Sequence, residues 1–363
     1  MGRFRIQLVH VLGKVCGPDL DRGRLRGSPP TARAVPGRVQ LWQERDQRPA
    51  CWAHGLCPSQ HRVDAGAGLM RADPAVLKVA VLCCDGPLQR ELIRRAAARF
   101  RLAGVVLQQR PQKRVTLLDK LRPYRDPRRL KRQLEARLWL PREERQAEPL
   151  RQQLFPSSLQ TAESLAPHLK TPAINAPEVV EALQLWAPDL VLVNGTQLLR
   201  APVLNLIPRI PLGIINLHTG LSPYSRGGNC NLFMLLEKRP ELVGLTVHHI
   251  DPGIDSGEII LSDQVKMHPD DNYEMIDLRG FDQGFNLLLN GAELLATGRA
   301  PRVRQWEHGK LFLRRTGYVY EPWHRLQAAR LLRRGLVRDY LRRQAQGDAT
   351  TTVRLVRAEE PES

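Results

Sequence analysis

Residues 78–109 read KVAVLCCDGPLQRELIRRAAARFRLAGVVLQQ, and this stretch decides the fold class. KVAVLCC (78–84) is a continuous apolar run of the kind that is buried on both faces of a parallel sheet, and it ends at an Asp85-Gly86 turn. PLQRELIRRAAARF (87–100) places Leu88, Leu92, Ala96 and Phe100 at helical spacing, and GVVLQQ (104–109) supplies a second strand. Strand, helix and strand within about thirty residues predict a βαβ unit.

The alternation continues downstream. PEVVEALQLW predicts a helix with Pro177 at its first position and Asn175 as a candidate cap. APDLVLVNG (187–195) and GIINLH (213–218) predict buried strands. LVGLTVHHI (242–250) and EIILSDQVKM (258–267) predict an antiparallel pair joined across DPGIDSG, followed by a long helix from about Asp271 to Thr297. The expected fold is therefore α/β: a Rossmann-like, mostly parallel sheet with helices on both faces and a basic helical C-terminal extension. Ligands on such sheets bind beyond the carboxyl ends of the strands, where Gly195 and the segment after His218 fall.

Outside this core the chain changes character. Residues 1–69 are rich in Gly, Pro and Arg, show neither strand nor helix period, and are expected to be a poorly structured extension. Residues 77–300 form the expected core domain, interrupted by a basic, Arg-rich helical insertion at 110–151. Within 301–363, WEHGKLFLRR (306–315) predicts a small hairpin turning at His308-Gly309, and residues 324–344 predict a basic helical tail.

The formal net charge is +18, but residues 160–300 carry nine basic against sixteen acidic side chains, so the positive charge is peripheral. Charge alone therefore makes nucleic acid a secondary partner only. No apolar run is long enough for a membrane helix, and no signal-peptide cleavage pattern follows the N-terminal stretch. The six cysteines include no C-x-x-C pair, which suits reduced thiols, a cytoplasmic setting and no metal site.

Chemistry concentrates in NLHTGLSPYSRGG (216–228) and GLTVHHIDPGIDSGEII (244–260). Asn216 and His218 lie two apart on a strand and so share a face. Together with Asp255 they form a neutral amide, an imidazole and a carboxylate at the ends of apolar strands. His248 reads equally well as a buried core group or a site member, and His249 faces the other way and is structural. Arg226, before Gly227-Gly228, is placed at a helix N-terminus where an anion could bind.

The two segments resemble the signature of the formyltransferase family: N-x-H at a strand end, a Leu- and Pro-containing loop, T-x-H, then an Asp before a Gly-containing turn. Here these are Asn216-Leu217-His218, Leu221 and Pro223, Thr246 and His248, and Asp255-Ser256-Gly257. The resemblance implies a donor, 10-formyltetrahydrofolate, and a small-molecule amine acceptor. It also implies a tetrahedral intermediate, with Asn216 and His218 donating to its oxyanion and Asp255 as general base. Gln197, Leu198, Leu199, Ile250 and Asp251 are carried over as folate contacts.

Three departures from the family bear on the acceptor. The loop reads T-G-L-S-P where S-L-L-P is usual. The first strand ends C-D-G-P-L-Q, without the Gly-Ser-Asn turn that grips the phosphate of glycinamide ribonucleotide. The tail lacks the alternating strands of a methionyl-tRNA formyltransferase barrel. An amino sugar or modified amino acid is the expected acceptor. The alternatives are a 10-formyltetrahydrofolate hydrolase, a methionyl-tRNA formyltransferase-like enzyme, or an inactive RNA-binding relative.

Overall fold

A computed structural model describes residues 76–109, 126–156, 164–348 and 352–358. The expectation for residues 1–69, and the first part of the basic insertion, lie outside the described residues.

Seven strands form one sheet in the order β3-β2-β1-β4-β5-β7-β8: β1 (Lys78–Cys84), β2 (Arg101–Gln108), β3 (His168–Thr171), β4 (Leu190–Asn194), β5 (Ile214–His218), β7 (Gly244–His249) and β8 (Ile259–Gln264). The first five in that order run parallel, and β7 and β8 close the far edge in antiparallel pairing. The strand order reverses direction on either side of β1, so the crevice at the carboxyl ends of β1 and β4 is the topological switch point.

Alternation along the central strands divides the core. Val79, Val81 and Cys83 enter one apolar cluster, shared with α1 (Pro87–Arg99) and the long α6 (Tyr273–Ala296). Ala80 and Leu82 enter another, against α3 (Pro177–Trp186) and the short α4 (Ala201–Leu204). Helices therefore cover both faces, as the sequence predicts. Helix α2 (Pro127–Leu154) fills the described part of the basic insertion. It is tied to the rest by Arg325, 5% exposed, which reaches Glu144 on α2 at 3.0 Å and Glu274 on α6 at 2.7 Å.

Several local expectations are corrected. The hairpin at 306–315 does not form: β9 (Lys310–Phe312) pairs in parallel with β6 (Ser225–Gly227) as a separate small sheet. The residues on either side of His308-Gly309 find a distant partner instead of each other. The basic tail is two helices, α7 (Pro322–Arg333) and α8 (Leu336–Ala345), broken at Gly335, whose φ of +96° a side chain would strain. It is not peripheral, because Leu332 and Val337 pack with Phe233 and Phe312 in a third apolar cluster. The residue before α3 is Ala176; the Asn175 side chain instead accepts from Arg200 N at 2.7 Å and donates to Leu198 O at 2.9 Å.

Candidate active site

Register builds the site. In the antiparallel pairing of β5 with β7, Asn216 lies opposite His248 and His218 opposite Thr246. Residues directly opposite on antiparallel strands share a face, as do residues two apart on one strand. N-x-H and T-x-H therefore form a two-by-two grid of polar side chains on one face of the sheet. The fourth member is structural: the Thr246 hydroxyl donates to Gly220 O and accepts from Ser222 N, each at 2.8 Å, which pins the loop after His218.

That loop explains one departure from the usual pattern. A Cβ on Gly220 would lie 2.4 Å from His218 Nε2 and 2.6 Å from Cys230 Cβ, so a glycine is required for His218 to occupy its position. Cys230 is wholly buried at the start of α5 (Cys230–Leu236), and burial pushes its thiol pKa up, which suits packing and not nucleophilic chemistry.

Asp255 arrives from the 250–257 turn. Its backbone is left-handed, φ +46°, a conformation that Asp tolerates better than most residues. The turn is held from outside by Gln305, whose amide donates to Asp255 O at 2.7 Å and Gly257 O at 3.1 Å. Gly257 is needed because a Cβ there would lie 1.8 Å from His249 O. One Asp255 carboxylate oxygen accepts from Gly227 N at 2.9 Å and stands 3.5 Å from His218 Nδ1; the other stands 3.6 Å from His248 Nε2. Amide, two imidazoles and carboxylate thus converge on one place, and His248 joins the site.

Hydrogen bonds fix the orientation of these groups. His248 Nδ1 lies 2.8 Å from His249 O, which can only accept, so Nδ1 carries a proton, and Nε2 lies 3.2 Å from the Asn216 amide and 3.6 Å from Asp255. This turns the Asn216 NH₂ group toward His248 and leaves its second N–H for a ligand. His218 has an oxygen acceptor at each ring nitrogen, Asp255 on one side and Ser225 O at 3.2 Å on the other. Burial pushes the His218 pKa down; the Asp255 charge and the Ser225 carbonyl oppose that fall. Burial alone would raise the Asp255 pKa, but His218, His248 and the Gly227 N–H together hold it well below the usual carboxylate range.

The remaining predicted residues make contacts of other kinds. Arg226 lies in β6, not at a helix N-terminus, and its guanidinium donates to His308 O at 2.8 Å. The Gln197 backbone N–H is already engaged by the Gln108 side chain at 2.7 Å. Leu199 is buried with its side chain in the core, while Leu198 is exposed. Ile250 packs against the second core cluster, and its N–H donates to Ile214 O at 2.9 Å. Asp251 accepts from Ser256 Oγ at 2.9 Å and from Gly253 N at 3.1 Å, bracing the turn that carries Asp255. Sequence reasoning missed Ser225 O, Gly227 N and Gln305; two are backbone groups, and the third acts across fifty residues with no pattern to mark it.

Comparison with known proteins follows the same lines. The family model described as Formyl transferase matches residues 139–291, which include the grid and Asp255. The methionyl-tRNA formyltransferase of Syntrophus aciditrophicus is 34% identical over 140 residues, which is 38% of this chain and 44% of that protein. The chain spans less than half the length of the curated relatives it matches. Among solved structures, glycinamide ribonucleotide transformylase 1 from Symbiobacterium toebii is 21% identical with a TM-score of 0.40, over 63% of this chain and 95% of that one. A formyltransferase from Anoxybacillus kamchatkensis, solved with UDP-4,6-dideoxy-4-formamido-L-AltNAc and tetrahydrofolate, is 16% identical with a TM-score of 0.38, over 69% of this chain and 97% of that one.

Proposed function

We propose that this chain, whose residues 139–291 match the family model described as Formyl transferase, moves a formyl group from 10-formyltetrahydrofolate to the amine of a small acceptor, of the amino-sugar or modified amino-acid class. The observation that carries this reading is the placing of Asp255 within 3.5 Å of His218 and 3.6 Å of His248, with the Asn216 amide held against His248.

Each group has a task suited to its surroundings. The free Asn216 N–H is a preorganised donor for the oxyanion that develops when an amine adds to the formyl carbon, and His218, both of whose ring nitrogens already face an oxygen, can add a second donor only by giving up its Ser225 contact. Asp255, held ionised, draws a proton from the attacking nitrogen. His218 lies 3.5 Å from that carboxylate and can take the proton on, its charge then balanced by Asp255. Transfer balances: the amine loses one proton, and the departing tetrahydrofolate nitrogen gains one. No covalent enzyme intermediate is required, in keeping with the inert, buried Cys230.

The start of α1 speaks against a glycinamide-ribonucleotide acceptor. There the Gln89 side chain turns back to the Asn194 amide at 3.1 Å, so the first βα turn is occupied by its own polar contact. The test is turnover of purified full-length protein with 10-formyltetrahydrofolate against a panel of amino sugars and amino acids, read as tetrahydrofolate formed and formamide product detected. Formyl product with one amine class supports the reading. Formate release that no amine diverts supports hydrolysis instead, and failure to bind or turn over the folate with any amine overturns the reading.

A further inference from the structure

We propose that a second site, lying between the start of α2 and the Arg314–Val319 turn, binds a nucleotide-like ligand: a phosphate-bearing molecule that also carries an aromatic ring. The site is a cleft of about 890 Å³, within the range of small-molecule sites, about 300–1,000 Å³. None of the formyl-transfer residues lines it.

Its charge is the first reason. Arg128, Arg132 and Arg314 line the cleft with exposed side chains. The acidic groups around them are already engaged. Asp126 accepts from Arg128 N at 2.9 Å at the start of α2, Glu237 takes the Tyr318 hydroxyl and Lys310, and Glu321 takes Arg129. Among the described residues no carboxylate forms an ion pair with the other three guanidinium groups, although the Glu135 carboxylate, paired with Arg330, also feels the Arg132 charge. Planar guanidinium forks are matched to phosphate oxygens, and several converging on one cleft make an anion site.

Its walls are the second reason. Trp323 lies under two guanidinium groups, with Arg129 at 5.7 Å and Arg132 at 6.0 Å from the ring centroid. Its ring meets His324 at 5.8 Å, and His324 meets Phe233 at 5.7 Å. The cleft is thus cationic at its mouth and aromatic along one wall, a combination that accepts a planar base as well as phosphate. Arg129 Nε is also buried without an acceptor among the described residues. A free-standing nucleotide is favoured over a nucleic-acid strand because the three arginines and the aromatic wall belong to one cleft lining and not to a continuous positive track, since Asp126, Glu237 and Glu321 alternate with them.

The wall is also close-packed to the small β6/β9 sheet. Phe233 stacks on Phe312 of β9 at 5.2 Å, and Phe312 O accepts from Gly228 N at 2.9 Å, next to the Gly227 that holds Asp255. The site thus lies across that sheet from the catalytic carboxylate.

The proposal is independent of the formyl-transfer reading and is tested by binding alone. Full-length protein is titrated by calorimetry with ADP, adenosine, inorganic pyrophosphate and a short single-stranded oligoribonucleotide. We expect ADP to bind one saturable site, with adenosine and pyrophosphate each at least about tenfold weaker. Arg128→Glu, Arg132→Glu and Arg314→Glu should each weaken ADP about tenfold, the loss expected for one charge-assisted contact. The exposed control Arg343→Glu on α8 should bind as wild type, with circular dichroism confirming folding in every variant. Absence of saturable ADP binding, arginine variants that bind like wild type, or an oligoribonucleotide that binds and is not displaced by ADP would each overturn the proposal.

Discussion

Replacing Asp255 by Asn isolates the charge of the carboxylate from its shape. Asn is among the few residues that tolerate a φ of +46°, and its Oδ1 can still accept from Gly227 N, so the turn should keep its conformation. What disappears is a negative charge 3.5 Å from His218 and 3.6 Å from His248. At such distances and an effective dielectric constant near 20, a carboxylate stabilises an imidazolium by roughly 4 kcal/mol. That is about three decades in rate if the interaction is made fully in the transition state. A lost general base costs about 10²–10⁴ by itself, so a fall of about 10³ in kcat is expected, with KM for the folate nearly unchanged. Single-turnover formation of tetrahydrofolate measures it. The pH profile adds a sign. Burial lowers the His218 pKa and the Asp255 charge holds it up, so without that charge the acid limb of kcat/KM should move to lower pH. A D255N enzyme within tenfold of wild type, with the limb unmoved, would refute the role given to Asp255.

Gly220→Ala would place a methyl 2.4 Å from His218 Nε2; a fall of about 1–3 kcal/mol in stability, as for other overpacked sites, should appear with lost turnover, and a wild-type melting curve and rate would contradict this. Arg325→Met would strand Glu274, whose pKa burial already raises. Orphaning one half of a buried pair costs about 3–5 kcal/mol, and because a raised carboxyl pKa favours folding only while the group is protonated, denaturant midpoints should show a larger deficit at pH 8 than at pH 5. For His249, burial lowers the pKa to about 4, with the Arg302 charge adding to the effect and Glu258 opposing it. An unfolded histidine titrates near 6.5, so wild-type stability should decline as pH falls from about 6.5 toward 4. His249→Asn should flatten that decline in urea titrations, and an unchanged slope would argue against it.

The six main strands that surround the site were legible because each is an apolar run that a two-sided or half-buried sheet requires. Strand β3 was not, since HLKT is a four-residue edge strand with one buried side chain. β6 and β9 have three residues each and pair across more than eighty positions, so no local periodicity marks them. The hairpin reading of 306–315 failed for the same reason: a Gly turn between short runs looks local whether or not the partner is. That Asn216, His218 and Asp255 come close together was legible through the resemblance of the two segments to a family signature, since each residue alone reads as a strand-end or turn group. Ser225 O and Gly227 N were not, because a backbone group has no letter of its own. Arg226 was misplaced because the helix expected at Gly227-Gly228 begins only at Cys230.

Pairing register, more than any single residue, determines this site. Asn216, His218, Thr246 and His248 share a face only because 216 pairs with 248 and 218 with 246; a slip of one residue would send the β7 pair to the opposite face. The sheet cannot deliver Asp255, which lies beyond the end of β7 and reaches the grid only because the 250–257 turn folds back. That return is secured by contacts with no catalytic chemistry of their own: Gln305 on two carbonyls, Asp251 on Ser256, and a glycine where His249 O leaves no room for a Cβ. Half of the site is therefore as stable as the central sheet, and half is as stable as one turn. Loss of function without loss of fold should accordingly concentrate at the turn and its clasp.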